Sequence, residues 1–143
     1  MKTVSTVRVR YAETDNMGVV YHSNFLIYFE IGRTDYFRDL GFTYRAMEAD
    51  NVFMPVTECY CQFKLPAYYD DELDIQTSLE MLSRIRLKFT YMVIRKADSR
   101  LIAEGYTVHV PVNRSGVPCR IPPPYLEALN ETTHIKGRNG GTQ

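Results

Sequence analysis

The chain has 143 residues, enough for one domain with one sizeable core and short for two. Its seventeen basic and seventeen acidic side chains cancel, so no broad cationic field is available to hold nucleic acid or an anionic membrane, and any anion site must be local. Three cysteines, Cys59, Cys61 and Cys119, form no disulfide framework and fit a reducing compartment, which makes the cytoplasm the expected location.

The N-terminal MKTVSTVRVRY lacks the basic region and apolar run of a signal peptide, and FLIYF, the longest aliphatic-aromatic run, is too short to insert in a membrane. VSTVRVRY, residues 4–11, has high β propensity and partial alternation, which predicts a first strand ended by the polar AETDNMG. From Asn24 to Leu40, Phe25, Phe29, Tyr36, Phe37 and Leu40 recur near one face, and Leu26, Ile27 and Ile31 widen it, predicting a helix largely inside the protein. Ser23 or Asn24 supplies a side-chain cap for its orphan N–H groups, and Gly41 the left-handed residue after its end.

A short irregular stretch follows, then the strand PVTECYCQFKLP and the turn AYYDDE. ELDIQTSLEML sends Leu73, Ile75, Thr77, Leu79 and Met81 to one face. RIRLKFTYMVIR repeats the alternation with Ile85, Leu87, Phe89, Tyr91 and Val93, so the two read as antiparallel neighbours joined at LSR. Arg84, Arg86 and Lys88 fall together on the opposite face, as a solvated face or a phosphate contact. LIAEGYTVHVPVN is a further strand, with Gly105 and Pro111 as places for a bulge or an end. NRSG is a turn before a short last strand near VPCRI, PPPYLEALNETT makes a terminal helical turn or two, and HIKGRNGGTQ lacks periodicity and should fray. The order is α+β, with antiparallel strands free to curl around one long helix.

Metal binding finds little support: Cys59 and Cys61 lack a second ligand pair, and His22, His109 and His134 are scattered. No phosphate loop or serine nucleophile elbow is present. What remains is Asp15, His22 and the helix start near Ser23. Backbone N–H groups at a helix N-terminus stabilise developing oxyanion charge, and a nearby carboxylate attacks a carbonyl or activates water. The same spacing equally describes a turn aspartate and a hydrogen-bonded histidine, and the residues by themselves leave both open.

YAETDNMGVVYHSNFLIYFEIGRTDYF resembles the signature of hotdog-fold acyl-CoA thioesterases, in the 4-hydroxybenzoyl-CoA thioesterase family and its Tol-Pal-associated branch. DDELDIQTSLEMLSRIRLKFTYMVIR resembles that family's second half. The resemblance implies a hotdog domain over residues 1–133, a curved antiparallel sheet around the long helix, with a flexible tail over 134–143. It implies a homodimer with sites at the subunit interface, assembling further into a homotetramer. The catalytic carboxylate falls on Asp15, and the backbone N–H that meets the thioester carbonyl falls on His22, with Tyr21, Ser23 and Asn24 as neighbouring substrate-binding residues. Ser83, Arg84 and Arg86 match positions that meet the nucleotide end of coenzyme A. The substrate implied is an aromatic or short-to-medium-chain acyl-CoA, or the same acyl group on acyl-carrier protein, without a separate cofactor. A non-catalytic hotdog protein that binds acyl-CoA is the alternative, with a hotdog dehydratase ranked behind it. Tyr21, Phe25, Phe53, Tyr60, Phe63, Tyr68 and Tyr69 are candidates to line the acyl pocket or to pack the core.

Overall fold

A computed structural model describes residues 1–141, with side chains described through Thr132. Five antiparallel strands, β1 (Lys2–Arg8), β2 (Val56–Phe63), β3 (Glu72–Ser83), β4 (Arg86–Arg95) and β5 (Arg100–His109), form one sheet in the order β1-β3-β4-β5-β2. The long helix α1 (Asn24–Asp39) packs on its inner face. A short helix α2 (Tyr44–Ala49) occupies the stretch expected to be irregular, its start capped by the Thr43 side chain, which accepts from the Ala46 N–H at 3.1 Å. Helix α3 is longer than the expected turn or two, running Pro123–Gly141. The tail expected over 134–143 lies outside the residues whose side chains are described.

The period-two reading of β3 and β4 corresponds to what is buried. Leu73, Ile75, Thr77 and Leu79 on β3, and Leu87, Phe89, Tyr91 and Val93 on β4, all face inward. Alternation of this kind marks a sheet with one face dry and one face wet. Helix α1 buries Phe25, Tyr28, Phe29, Gly32, Tyr36 and Phe37, at the three- and four-residue spacing that keeps side chains on one helical face. Phe29 stacks on Tyr91 with centroids 4.3 Å apart, while Tyr36 and Phe37 meet Phe89 edge-on at 5.7 and 5.5 Å. Gly32 lets the helix descend onto β3, because a Cβ there would collide with the Thr77 hydroxyl and press on Ile75.

Several expectations are corrected. Gly105 is not at a bulge: it pairs regularly with Tyr91 and Cys61, and is glycine because a Cβ would strike the Tyr60 carbonyl and crowd Phe29. The bulges fall instead at Val56/Glu58, Met81/Ser83 and Val93/Ile94. Arg84 and Ile85 form the β3–β4 turn, so Arg84 does not share a strand face with Arg86 and Lys88, and Ile85 is exposed. The last strand near VPCRI is reduced to an isolated bridge between Val112 and Pro118. Ser23 makes no side-chain cap and has helical backbone angles, and the Asn24 amide donates to the Glu13 carbonyl at 2.8 Å. Leu26 and Ile27 stand in the open on α1 at 42% and 50% exposure, so the apolar stripe is wider than one chain's sheet covers.

One polar chain runs through the core. The Tyr91 and Thr107 hydroxyls lie 2.6 Å apart, Thr107 Oγ1 lies 2.8 Å from His109 Nε2, and His109 Nδ1 lies 3.0 Å from the Met54 carbonyl. A carbonyl can only accept, so Nδ1 carries the proton, Nε2 accepts from Thr107, and Thr107 accepts from Tyr91. Burial first, and the nearby Arg33 charge, push the His109 pKa down from 6.5 to about 4 against the bond to Met54, keeping the imidazole neutral. Below pH 6.5 the unfolded chain therefore takes up this proton before the folded one. The stability held by neutral His109 is complete above 6.5 and is lost as pH falls toward 4, by about 3 kcal/mol. Urea unfolding at pH 7 and pH 4 should show that extra loss in the wild type and not in His109→Gln; parallel profiles would contradict it.

Candidate active site

The segment between β1 and α1 folds back on itself. After β1 a 3-10 turn, Tyr11–Glu13, is closed by Glu13, whose carboxylate accepts from the Arg10 N–H at 2.9 Å and from Arg10 Nε at 3.1 Å. Asp15 then starts a tight loop, its N–H donating to the Val19 carbonyl at 2.9 Å and its own carbonyl accepting from Gly18 at 3.0 Å. Gly18 takes φ +76°, and the Asp15 side chain caps the turn, Oδ1 accepting from the Met17 N–H at 2.8 Å and from Val19 at 3.4 Å. The other carboxylate oxygen, Oδ2, has no partner among the described residues.

The returning arm is docked on the far side. Val20 donates to the Ala67 carbonyl at 2.8 Å, and Arg95 stiffens that wall by donating to the Pro66 carbonyl and to Asp71, each at 3.1 Å. Tyr21 donates to the Glu13 carbonyl at 2.9 Å, and the Asn24 N–H bonds back to the Tyr21 carbonyl at 2.9 Å. His22 and Ser23 lie inside that turn. Their carbonyls accept the first helical bonds from Phe25 and Leu26, each at 3.2 Å, while their own N–H groups reach no acceptor among the described residues. Orphan donors at a helix start are what polarises a carbonyl oxygen.

A cleft of about 380 Å³ lies between Asp15, Val20, Tyr21, His22 and Phe25 on one side and the segment 63–67 on the other. Its rim is aromatic: the His22 ring sits 4.4 Å from Tyr21 and 6.2 Å from Phe63, and Phe25 meets Phe63 edge-on at 5.5 Å. Asp15, Tyr21 and His22 thus share one cleft, and Ser23 and Asn24 stand at the helix start beside it.

Ser83, Arg84 and Arg86 are not brought there. They lie at the opposite end of β3, which runs for about 35 Å at the usual strand rise. Ser83 and Arg84 border a second cavity of about 630 Å³, together with Arg120 and the apolar Met81, Ile121 and Leu126. Of the aromatic candidates, Tyr21, Phe25 and Phe63 line the Asp15 cleft, Phe53 borders a separate cavity, and Tyr60 stacks on Tyr106 on the sheet's outer face. Tyr68 lies 6.0 Å beneath Arg95, and Tyr69 meets Tyr11 edge-on. Cys59 and Cys61 pair with Thr107 and Gly105 across β5; Cys59 is exposed and Cys61 half-buried, and burial, with Cys59 beside it, pushes the Cys61 thiol up to about 11, far from a reactive thiolate. Sequence reasoning missed Glu13 and Arg120 as members of these sites; only the R-x-x-E spacing of Arg10 and Glu13 hinted at the first.

Residues 9–129 match the model of the thioesterase-like superfamily. The chain belongs to that superfamily. It is similar to the acyl-CoA thioester hydrolase YbgC of Escherichia coli O157:H7, 34% identical over 107 residues, covering 75% of this chain and 79% of that one. Among solved structures, the DHNA-CoA thioesterase of Staphylococcus aureus superposes with a TM-score of 0.92 at 30% identity, covering 96% of this chain and 95% of the other. The Thermus thermophilus protein TT1821 does so with a TM-score of 0.86 at 39% identity, covering 92% and 98%. The curved sheet around α1 is the hotdog thioesterase fold, and the Asp15 loop and helix start lie inside the matched region.

The left-handed turn at Gly18 gives a direct check on the loop. No atom lies within 4 Å of a Cβ built there, so Gly18→Ala meets only backbone strain, about 1 kcal/mol. Gly18→Asn, which tolerates that conformation, should lose less in urea unfolding, and equal losses would contradict this account of the loop.

Proposed function

We propose that this protein hydrolyses the thioester of an aromatic or short-to-medium-chain acyl-CoA to the free acid and coenzyme A, with Asp15 as the reacting carboxylate. The observation that carries the reading is one cleft bordered by a half-buried carboxylate, fixed through Oδ1 and open at Oδ2, and by a helix start with unbonded N–H groups. The names of the relatives, an acyl-CoA thioester hydrolase and a DHNA-CoA thioesterase, support the same chemistry.

In this mechanism the thioester oxygen sits at the His22 and Ser23 N–H groups, and Oδ2 of Asp15 attacks the carbonyl carbon. The carbon–sulfur bond breaks, coenzyme A leaves as thiolate and takes a proton from water, and a mixed anhydride remains on Asp15. Water then releases the acid and restores the carboxylate. In the rival route Asp15 removes a proton from the water that attacks directly. His22 acts through its backbone in both, so its ring need not carry a proton. Single turnover in heavy-oxygen water supports the anhydride if label enters Asp15, because water has then opened it at the aspartyl carbon. Label only in the product is common to the direct route and to an anhydride opened at its acyl carbon, and rapid-quench mass spectrometry that finds no acyl group on Asp15 during turnover rules the anhydride out.

The phosphates of coenzyme A are assigned to Ser83, Arg84 and Arg86, with Arg120 added by its place in the second cavity. A strand's length separates that cavity from the Asp15 of the same chain, which favours a complete site built from two subunits. The free edge of β2 and the exposed Leu26, Ile27, Val56 and Phe63 support a homodimer there, assembling further into a homotetramer. Coenzyme A enters as part of the substrate, no separate cofactor is required, and acyl-carrier protein is the second candidate carrier. The TDNMGVVYHSN segment supports the 4-hydroxybenzoyl-CoA thioesterase family and its Tol-Pal-associated branch. Among the described residues no helix is long and apolar enough to cross a membrane, and the reading keeps the enzyme in the cytoplasm.

Thiol release from aromatic, short-chain and long-chain CoA esters tests the proposal. Asp15→Asn should lower kcat by about 100-fold or more with its unfolding midpoint kept. Near-normal turnover by that folded variant would overturn the assignment.

A further inference from the structure

We infer that Glu13 is a positioning residue that locks the carboxylate arm of the thioester site to its N–H arm, an inference that rests on the reading of the Asp15 cleft given above. Glu13 accepts five hydrogen bonds. Its carboxylate takes Arg10 N–H and the Tyr28 hydroxyl on Oε1, both at 2.9 Å, and Arg10 Nε on Oε2 at 3.1 Å; its carbonyl takes Tyr21 N–H at 2.9 Å and Asn24 Nδ2 at 2.8 Å. A residue that only closed the 3-10 turn would need Arg10 alone. The other three bonds all go to the segment that carries His22 and Ser23, or to the helix behind it.

The consequence is geometric. Asp15 lies two residues beyond Glu13, and His22 directly follows Tyr21. Tyr28 is 1% exposed and packs edge-on against Phe25 at 5.6 Å, so its hydroxyl is fixed to the core side of α1. Through that bond the helix sets where Glu13 stands, and through the Glu13 carbonyl the same residue sets where the Tyr21–Asn24 turn stands. Carboxylate and orphan donors are thereby referred to one point. Burial raises the Glu13 carboxyl, but the Arg10 backbone, the Tyr28 hydroxyl and the Arg10 side chain outweigh it and hold it below its usual value. The group therefore stays charged near neutrality, and Tyr28, whose own hydroxyl is held protonated by burial and by Glu13, remains the donor.

Misplacing a reacting group by about an ångström costs on the order of 100-fold in rate. Glu13→Ala should lower kcat by about that factor and Tyr28→Phe by about 10-fold, with KM changed far less, since the carrier's phosphates are assigned elsewhere. Tyr28→Phe keeps the ring and its packing, so it stays informative if Glu13→Ala fails to fold. Glu13→Gln, which keeps acceptors for Tyr28 and the Arg10 N–H, should restore most of the loss, and Glu13→Ala/Tyr28→Phe should be no slower than Glu13→Ala. Independently of turnover, amide exchange at Tyr21 should quicken about 10-fold in both single variants well below their unfolding midpoints. Unchanged kcat per folded molecule in Glu13→Ala and Tyr28→Phe, beside an inactive Asp15→Asn, would overturn the lock and spare the cleft. Full activity in Asp15→Asn would sink the cleft reading instead, and unchanged Tyr21 exchange in both variants would then refute the lock by itself.

Discussion

The contact on which the rest of the structure depends is the descent of α1 onto the inner face of the sheet. The Phe29–Tyr91 stack and the bare backbone of Gly32 against Thr77 and Ile75 set how close the helix lies and how it is rotated. Burying an aromatic side chain contributes about 1.5–3 kcal/mol, and the row from Phe25 to Phe37 contributes several times over. With the helix body held this firmly, its first turn is held too, and the orphan N–H groups at His22 and Ser23 point from a rigid base. A preorganised donor need not be reoriented as charge develops on the oxygen it faces.

The carboxylate reaches the same place by another route. Asp15 is carried on a loop, yet its backbone is bonded to Val19, its side chain to Met17, and the returning arm to Ala67. The loop is therefore tied at both ends, although its tip at Met17 is exposed. The wall at Pro66 and Ala67 is fixed in turn by Arg95, so one end of β4 helps to shape a cleft whose other side is the segment before α1.

Local patterns were legible in the sequence, and long-range contacts were not. The strands β3 and β4 and the helix α1 could be read because one face of each is buried and the burial repeats with the period of the backbone. Gly105 was misread because a glycine inside a strand looks alike at a bulge and under a close approach, and the Tyr60 carbonyl that decides the matter is distant in the chain. Asn24 looked like a cap, but its amide serves the Glu13 carbonyl eleven residues back. Leu26 and Ile27 belong to the apolar stripe, and periodicity does not say whether a stripe is covered by its own sheet. Asp15 and His22 could be paired from their nearness in the chain. The placing of Arg84 beside Arg120, and of both far from Asp15, follows from the length of β3 and the return of the chain after β5.

The most direct measurement is a crystal structure of the protein with a ketone analogue of an acyl-CoA, in which a methylene separates sulfur from carbonyl so that no hydrolysis occurs. The account predicts the carbonyl oxygen about 2.7–3.1 Å from the His22 or Ser23 nitrogen, and the carbonyl carbon about 3–3.5 Å from an Asp15 carboxylate oxygen. An analogue bound with its carbonyl away from both groups would contradict it.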